Sequence, residues 1–334
     1  MKGFSFRPLR ITFLGLAFFL PVLAGAQSFN VNSVDPFSLS ISPQNPSPSS
    51  SVTLTALSTS LNLANATMTV FVNGKETYSG NVQPVSIPLG EAGSLTTIKA
   101  VISSGGTTYS RSVSVRPQDV VLIAEPISSA PALYPGNPLV PLEGTVRVVA
   151  MADIRNAAGK PLDPATLSYA WTVDGASISS VSGIGKEAII VASPLQYRSR
   201  NVSVVVESQN GVFVGGASVS LTAQEPTVRI YINDPLLGIL YDHTLSGGYT
   251  ITGTETSLYA APFSFPTGTG APALQWFLNN ALSQTGNLIT LRPTGSGKGS
   301  ASLSLVGSSG DFIKATTVLP LSFETQGSGN LFGL

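Results

Sequence analysis

An apolar stretch ending in a small polar pair occurs three times in this chain: Val70-Phe71-Val72-Asn73-Gly74, Trp171-Thr172-Val173-Asp174-Gly175 and Trp276-Phe277-Leu278-Asn279-Asn280. The copies lie roughly a hundred residues apart, which is the size of one small β-sandwich. The 334 residues therefore read as three sandwiches in series rather than as one large enzyme fold. A repeat of this kind fixes architecture rather than activity.

Within each repeat the landmarks come in one order. In the first, Val52, Leu54 and Ala56 alternate with Thr53 and Thr55, placing the apolar set on one face of a strand. The strand at Val70 to Val72 follows, and then Ile98, Ala100 and Ile102 lead into Ser104-Gly105-Gly106 and back through Tyr109, Val113 and Val115. The second repeat runs Val146, Val148, Ala150, then Trp171, then Val202, Val204 and Val206 into Gln209-Asn210-Gly211 and back through Val219 and Leu221. Asn-Gly between alternating runs predicts a tight two-residue hairpin turn with both central residues at positive φ. In the third, Leu258 and Ala260, Trp276, Leu303 and Leu305 lead through Ser308-Ser309-Gly310 to Val318 and Leu321. A central apolar strand followed by a closing hairpin, three times over, predicts an all-β chain of three immunoglobulin-like β-sandwich domains in tandem.

Proline-marked crossings at Arg116-Pro117-Gln118-Asp119 and Ala223-Gln224-Glu225-Pro226 set the expected units at 27–117, 118–225 and 226–325, with a tail at 326–334. These crossings are too short for flexible tethers, so neighbours should be held semi-rigidly. Tyr134 to Leu142 and Asn233 to Thr244 are longer irregular insertions, read as a cover over a sandwich end or a contact between domains, or else as functional loops. Only Ser42 to Ser51 and the tail have the composition of flexible segments.

Residues 1–26 have the parts of a secretory signal: Lys2, Arg7 and Arg10, an apolar run from Ile11 to Leu20, and Ala24-Gly25-Ala26 before the expected cleavage. The other reading is an uncleaved anchor, but the run is about half the roughly 20 residues that span a bilayer, and Pro21 interrupts it. The rest of the chain shows no apolar stretch of membrane-spanning length. An exported, extracytoplasmic location follows, at the cell surface or secreted. With no cysteine, stability must come from packing, and thiol chemistry is excluded. Seventeen basic and 17 acidic residues cancel, and charged residues make up only 10% of the chain. That surface offers nucleic acid none of the clustered Lys and Arg that neutralise phosphates. Ser, Gly and Pro enrichment also occurs in disordered chains, but 43% hydrophobic residues in clear alternation argue for packed sheet.

Candidate chemistry is sparse. His243 is the only histidine, and Asp242 is not expected to orient it from the next position in a strand. No Gly-x-Ser-x-Gly motif supplies an activated serine. Asp153, Asp163, Asp174, Asp234, Asp242 and Glu255 are scattered, each with a turn-forming or surface explanation. Asp234 and Asp242 with intervening carbonyls are the best of the weak options for calcium, yet no Asp-x-Asp-x-Asp-Gly spacing exists. The stretch Thr294 to Ser300 lacks phosphate-loop spacing and reads as a loop between strands. Trp171 and Trp276 sit mid-strand, where core packing outweighs a sugar-stacking role. Tyr231, Tyr241, Tyr249 and Tyr259, inferred to be exposed, are the better candidates for a binding face. No catalytic residue, metal or cofactor is implied.

Leu167-Ser168-Tyr169-Ala170-Trp171-Thr172-Val173-Asp174-Gly175, with the Val-rich strand Asn201 to Val206, resembles the polycystic-kidney-disease (PKD) domain of bacterial surface proteins and secreted enzymes over about residues 160–222. Val173 stands where that family has the first glycine of a Gly-Asp-Gly turn, and its late Gly-x-Tyr-x-Val element is absent. Ser38 to Pro43, Pro46-Ser47-Pro48 and Val52 to Ala56 resemble the opening of other bacterial immunoglobulin-like repeats. The resemblance implies a PKD-like spacer, an adhesive module or a carbohydrate-contacting accessory. The expectation is a non-enzymatic, exported structural or adhesive protein of a bacterial cell envelope or surface appendage, with envelope proteins or surface glycans as partners. A carbohydrate- or peptidoglycan-binding accessory is the alternative, and a secreted hydrolase with an unrecognised carboxylate site the lesser one.

Overall fold

The computed structural model describes residues 36–132, 134–294 and 297–325, so the signal segment and the tail at 326–334 lie outside the described residues. The described chain forms three two-layer β-sandwiches. The first comprises β1 (Ser38–Ser42), β2 (Ser51–Leu57), β3 (Thr67–Val72), β4 (Lys75–Asn81), β5 (Val85–Pro88), β6 (Thr96–Ser104) and β7 (Thr107–Val115). Its sheets have the orders β1-β2-β5 and β4-β3-β6-β7. The second comprises β8 (Asp119–Pro126), β9 (Thr145–Asp153), β10 (Ser168–Val173), β11 (Ala176–Ser177), β12 (Gly183–Ile184), β13 (Ala188–Ala192), β14 (Ser199–Glu207) and β15 (Val214–Thr222). Sheet orders β13-β9-β8 and β11-β10-β14-β15 repeat the first topology, with β12 added beside β10.

The third sandwich is built from β16 (Thr227–Asp234), β17 (Gly238–Ile239), β18 (Tyr249–Ile251), β19 (Thr256–Phe263), β20 (Ala273–Leu278), β21 (Ala281–Thr285), β22 (Leu288–Leu291), β23 (Gly297–Ser309) and β24 (Ile313–Thr325). It keeps the plan, with orders β17-β16-β19-β22 and β18-β24-β23-β20-β21. Here β18 pairs parallel with the outer edge of β24. These are three immunoglobulin-like sandwiches in tandem, defined by non-local antiparallel pairing. No helix among the described residues is long and apolar enough to cross a membrane.

Each sandwich buries its own core, and the period-2 alternation supplies it. Val52, Leu54, Ile98, Ala100 and Ile102 fill the first, Val146, Val148, Val202, Val204 and Val206 the second, and Leu258, Ala260, Leu303 and Leu305 the third. Trp171 and Trp276 are fully buried in the second and third. Burying an indole requires a partner for its N–H. Trp171 Nε1 donates to the Lys186 carbonyl at 2.8 Å and Trp276 Nε1 to that of Gly286 at 2.9 Å.

The polar pair that closes each repeated motif is a left-handed hairpin turn: Asn73-Gly74 at φ 51° and 82°, Asp174-Gly175 at 50° and 82°, Asn279-Asn280 at 48° and 68°. Both central residues lie at positive φ, as a type I′ turn requires. The first residue also ties the turn to the neighbouring strand from both its backbone and its side chain. Asn73 N donates to Thr97 O at 2.8 Å while its Oδ1 accepts from Thr97 N at 2.9 Å. Asp174 does the same with Asn201, at 2.8 Å for both bonds, and Asn279 with Ser302, at 2.8 and 2.9 Å. Asn and Asp suit the position because they tolerate this backbone conformation and carry a short acceptor.

Three local expectations change. The second closing hairpin is not a two-residue Asn-Gly turn: of that pair only Gly211 is at positive φ, and the loop extends over residues 208–213. Ser208 is buried, its Oγ donating to Asn210 Oδ1 at 2.7 Å and accepting from Phe213 N at 3.0 Å, so side chains close the longer loop. Lys298, Gly299 and Ser300 belong to β23 rather than to a loop. The stretch Ser42 to Ser51 is packed: Pro46 is buried, Ser49 N donates to Gly90 O at 2.8 Å, and a Cβ on Gly216 of the second sandwich would lie 2.7 Å from the Asn45 amide.

Asn73→Ala, Asp174→Ala and Asn279→Ala are each expected to destabilise the sandwich that carries them by about 1–3 kcal/mol, since a strand N–H loses its acceptor and a left-handed residue loses its tolerance. Asp174→Asn keeps the acceptor and should lose less. Denaturant unfolding of the variants checks both.

Candidate functional site at the second and third sandwiches

The Ala223 to Pro226 crossing is one of two connections between these sandwiches. After β8 the chain leaves its sheet and runs along the third sandwich before returning as β9. Ser129 N donates to Phe265 O at 2.8 Å, Ser264 N to Ser129 O at 3.0 Å, and Thr267 N to Ile127 O at 3.2 Å. Ser129 Oγ accepts from Phe265 N at 3.1 Å, and Ser128 bridges to Pro266. Ser129, Ser264 and Phe265 are buried, so the backbone groups of this ladder depend on one another for satisfaction. Further on, the Val140 carbonyl accepts from Gln224 N at 2.8 Å, and Leu142 packs against the third core.

The two insertions meet here. Tyr241 donates its hydroxyl to Ala132 O at 3.1 Å across 109 positions of sequence. Tyr134 stands edge-on to Phe263 at 5.0 Å and to Tyr241 at 6.3 Å; Tyr241 does the same to Tyr231 at 5.1 Å and to Tyr259 at 6.4 Å. The Arg229 guanidinium lies 5.4 Å from the centre of the Phe263 ring. Burial pushes the Tyr241 hydroxyl up to about 12, and the phenols of Tyr259 and Tyr231 add to the shift. Burial likewise raises Tyr231, against an opposing hydrogen bond and charge from Arg229.

This geometry corrects the expected open tyrosine face. Tyr231 is only 2% exposed, and Tyr241 and Tyr259 are half-buried in the aromatic cluster. Tyr249 lies on β18 in the opposite sheet and packs against the core. What opens to solvent beside the cluster is a cleft of about 370 Å³, lined among others by Tyr134, Asn137, Gln224, Glu225, Arg229 and Phe263. Its edge combines an aromatic surface with one cation, one carboxylate and two carboxamides. Tyr134, Phe263 and Arg229 escaped sequence reasoning because their contacts join segments far apart in the chain. The only sequence signal was the length of the two insertions.

The remaining candidates stay apart from this cleft. His243 Nδ1 is 2.9 Å from Asp242 Oδ2, so Asp242 does orient the ring, contrary to expectation; the pair sits in a turn rather than a strand. Both side chains are largely exposed, at 73% and 65%. Asp234 Oδ1 accepts from the backbone N–H of Leu236 and Leu237 at 2.8 and 2.9 Å, which holds its carboxyl below the usual range. Among the described residues no group of three or more His, Asp or Glu side chains is placed to hold a metal ion.

No protein-family model matches the sequence, and no curated protein matches it. Among solved structures, the chain is similar to the three N-terminal domains of the bacteriophage RB49 highly immunogenic outer capsid protein, with 15% identity, 87% of this chain and 100% of that one covered, and a TM-score of 0.23. It is similar to the central fibronectin-III array of RIM-binding protein, with 9% identity, coverage of 86% and 96%, and a TM-score of 0.29. It is also similar to the SGBP-B protein of the Bacteroides ovatus mixed-linkage glucan utilization locus, with 17% identity, coverage of 87% and 72%, and a TM-score of 0.22. At such scores the sandwich assignment rests on this chain's own strand pairing.

Replacing Ser129 with Ala strands the buried Phe265 N–H and should destabilise the junction by about 1–3 kcal/mol in thermal or denaturant unfolding. Tyr241 has a second, pH-dependent signature. Its folded pKa lies above the ordinary value near 10, so the fold holds a proton that the unfolded chain releases. That stability is complete below about pH 10 and is lost as pH rises towards about 12. Tyr241→Phe should therefore flatten the fall in melting temperature over that alkaline window.

Proposed function

We propose that this chain is an exported, non-enzymatic structural or adhesive protein of a bacterial cell envelope or surface appendage, in which tandem sandwiches act as a stiff spacer. The two-point junction supports the reading best: a buried backbone ladder plus an aromatic cluster couples neighbouring sandwiches far more firmly than a proline crossing alone. Stiff coupling serves a spacer, which must hold its ends apart. The amino-terminal signal pattern supports export. We take the units to be 27–117, 118–225 and 226–325. Cross-linking of intact native cells followed by mass spectrometry is expected to join this chain to envelope or appendage proteins. Recovery of the protein unlinked and free in the medium would overturn the reading.

A second reading, binding of a surface glycan, is favoured by the cleft, where the Tyr134 and Phe263 rings lie beside Arg229, Glu225, Gln224 and Asn137. Aromatic faces with a few convergent polar groups suit a sugar. Under this reading Tyr134→Ala or Glu225→Gln removes retention on immobilised glycans while melting stays within a few degrees of the parent. Retention unaltered by both substitutions excludes the cleft.

A further inference from the structure

In each sandwich the sheet that holds the opening strand turns one face to the core and one outward, and the three outward faces differ. In the first sandwich, β1, β2 and β5 present Ser38, Ser40, Ser42, Thr53, Thr55 and Ser86, hydroxyls suited to water. In the third, the same face carries Tyr231, Tyr259, Ala261 and Phe263, and the aromatic cluster closes over it: Tyr231 is 2% exposed and Ala261 0%. In the second, β8, β9 and β13 turn Val121, Ile123, Val149, Met151 and Ile190 outward. Val121, Ile123, Met151 and Ile190 are 51%, 41%, 59% and 63% exposed, so no segment among the described residues covers them. Strand register sets Val121 beside Met151, Ile123 beside Val149 and Glu125 beside Arg147, which makes one continuous apolar patch bordered by an ion pair. A contiguous apolar patch of this kind on a sheet marks a contact surface.

We propose that two copies of the chain pack sheet to sheet through this face, about 10 Å apart, around a two-fold axis that runs along the strands between β8 and β9. That axis lays β8 of each copy over β9 of the other. Each side-by-side pair then becomes a pair across the interface: Val121 meets Met151 of the second copy, Ile123 meets Val149, and Glu125 meets Arg147. The charges select the occupant. A face that holds one cation and one carboxylate as neighbours is complementary to itself under this rotation, which a surface of uniform charge is not. The Arg147 and Glu125 side chains are 48% and 49% exposed, free enough to turn from their own partner to the opposing one. At one end of the face Asp119 comes to lie opposite Asp153, whose carboxylate already accepts from Arg155 Nη2 at 2.7 Å. Three strands of five to nine residues cover about 30 by 14 Å at most, the small end of specific interfaces, so the dimer is a reversible one with a dissociation constant of about 1–100 μM. This inference stands apart from both the envelope and the glycan readings.

Sedimentation equilibrium of the purified chain over about 1–200 μM should show monomers passing to dimers and no larger species. Met151→Lys and Ile123→Lys, both at exposed positions, should each weaken association about tenfold or more while melting in dilute solution stays near that of the parent. Thr53→Lys, on the equivalent face of the first sandwich, should leave association unchanged. Charge tests the orientation. Glu125→Arg alone and Arg147→Glu alone set like charges opposite one another in self-association, and each should weaken it about tenfold or more. An equal mixture of the two variants recovers an opposite-charge pair at both positions and should associate as the parent does. A chain still monomeric at about 200 μM, association indifferent to Met151→Lys and Ile123→Lys, or a mixture no tighter than its components would each overturn the proposal, the first by leaving the face to a different molecule.

Discussion

The short acceptor side chain at the polar turn of each repeat is the interaction on which the sandwiches depend. Asn73, Asp174 and Asn279 each hold a left-handed hairpin turn against the strand beside it through paired donor and acceptor bonds. A slip of one residue in a strand would turn its whole apolar set to the wrong face, so register must be pinned somewhere. The clamp pins β3 on β6, β10 on β14 and β20 on β23. With that register set, Val70 stands opposite Ala100, Trp171 opposite Val204 and Trp276 opposite Leu305. The central side chain of each core is thereby delivered to the same place, and in two of the three it is an indole whose N–H has a carbonyl waiting.

What could be read in the sequence was what repeats locally. Alternation along Val52 to Ala56 or Val202 to Val206 fixes the buried face, and the spacing of the three apolar stretches that end in a polar pair fixes the number of sandwiches. The Asn210-Gly211 turn misled because the dipeptide was judged without Ser208, whose buried hydroxyl organises a longer loop. The aromatic cluster was only half legible. Tyrosine clustering in the third repeat was visible, but its burial depends on Tyr134 and Phe263, brought together by pairing that no local pattern encodes. Tyr249 misled for a similar reason: β18 crosses to the opposite sheet, which nothing in its three residues announces.

The junction also shows how a cysteine-free chain can join domains firmly. Backbone groups of Ile127, Ser129, Phe265 and Thr267 satisfy one another, and the Ser129 hydroxyl takes a donor that would otherwise be orphaned. Desolvation then works for the contact rather than against it, because each buried polar group already has a partner. The aromatic edges around Tyr241 add apolar area on the same side, and the cleft beside them is what remains where the packing ends.

Two separate crossings between the same pair of bodies have a kinematic meaning that one does not. A lone peptide link is a swivel, free to turn about the axis that joins the domains. Adding the strand continuation at Ile127 to Ser129, apart from Ala223 to Pro226, removes that torsional freedom and leaves only bending. The azimuth of the third sandwich is then locked to that of the second, so any surface it carries points in a constant direction however the whole chain flexes.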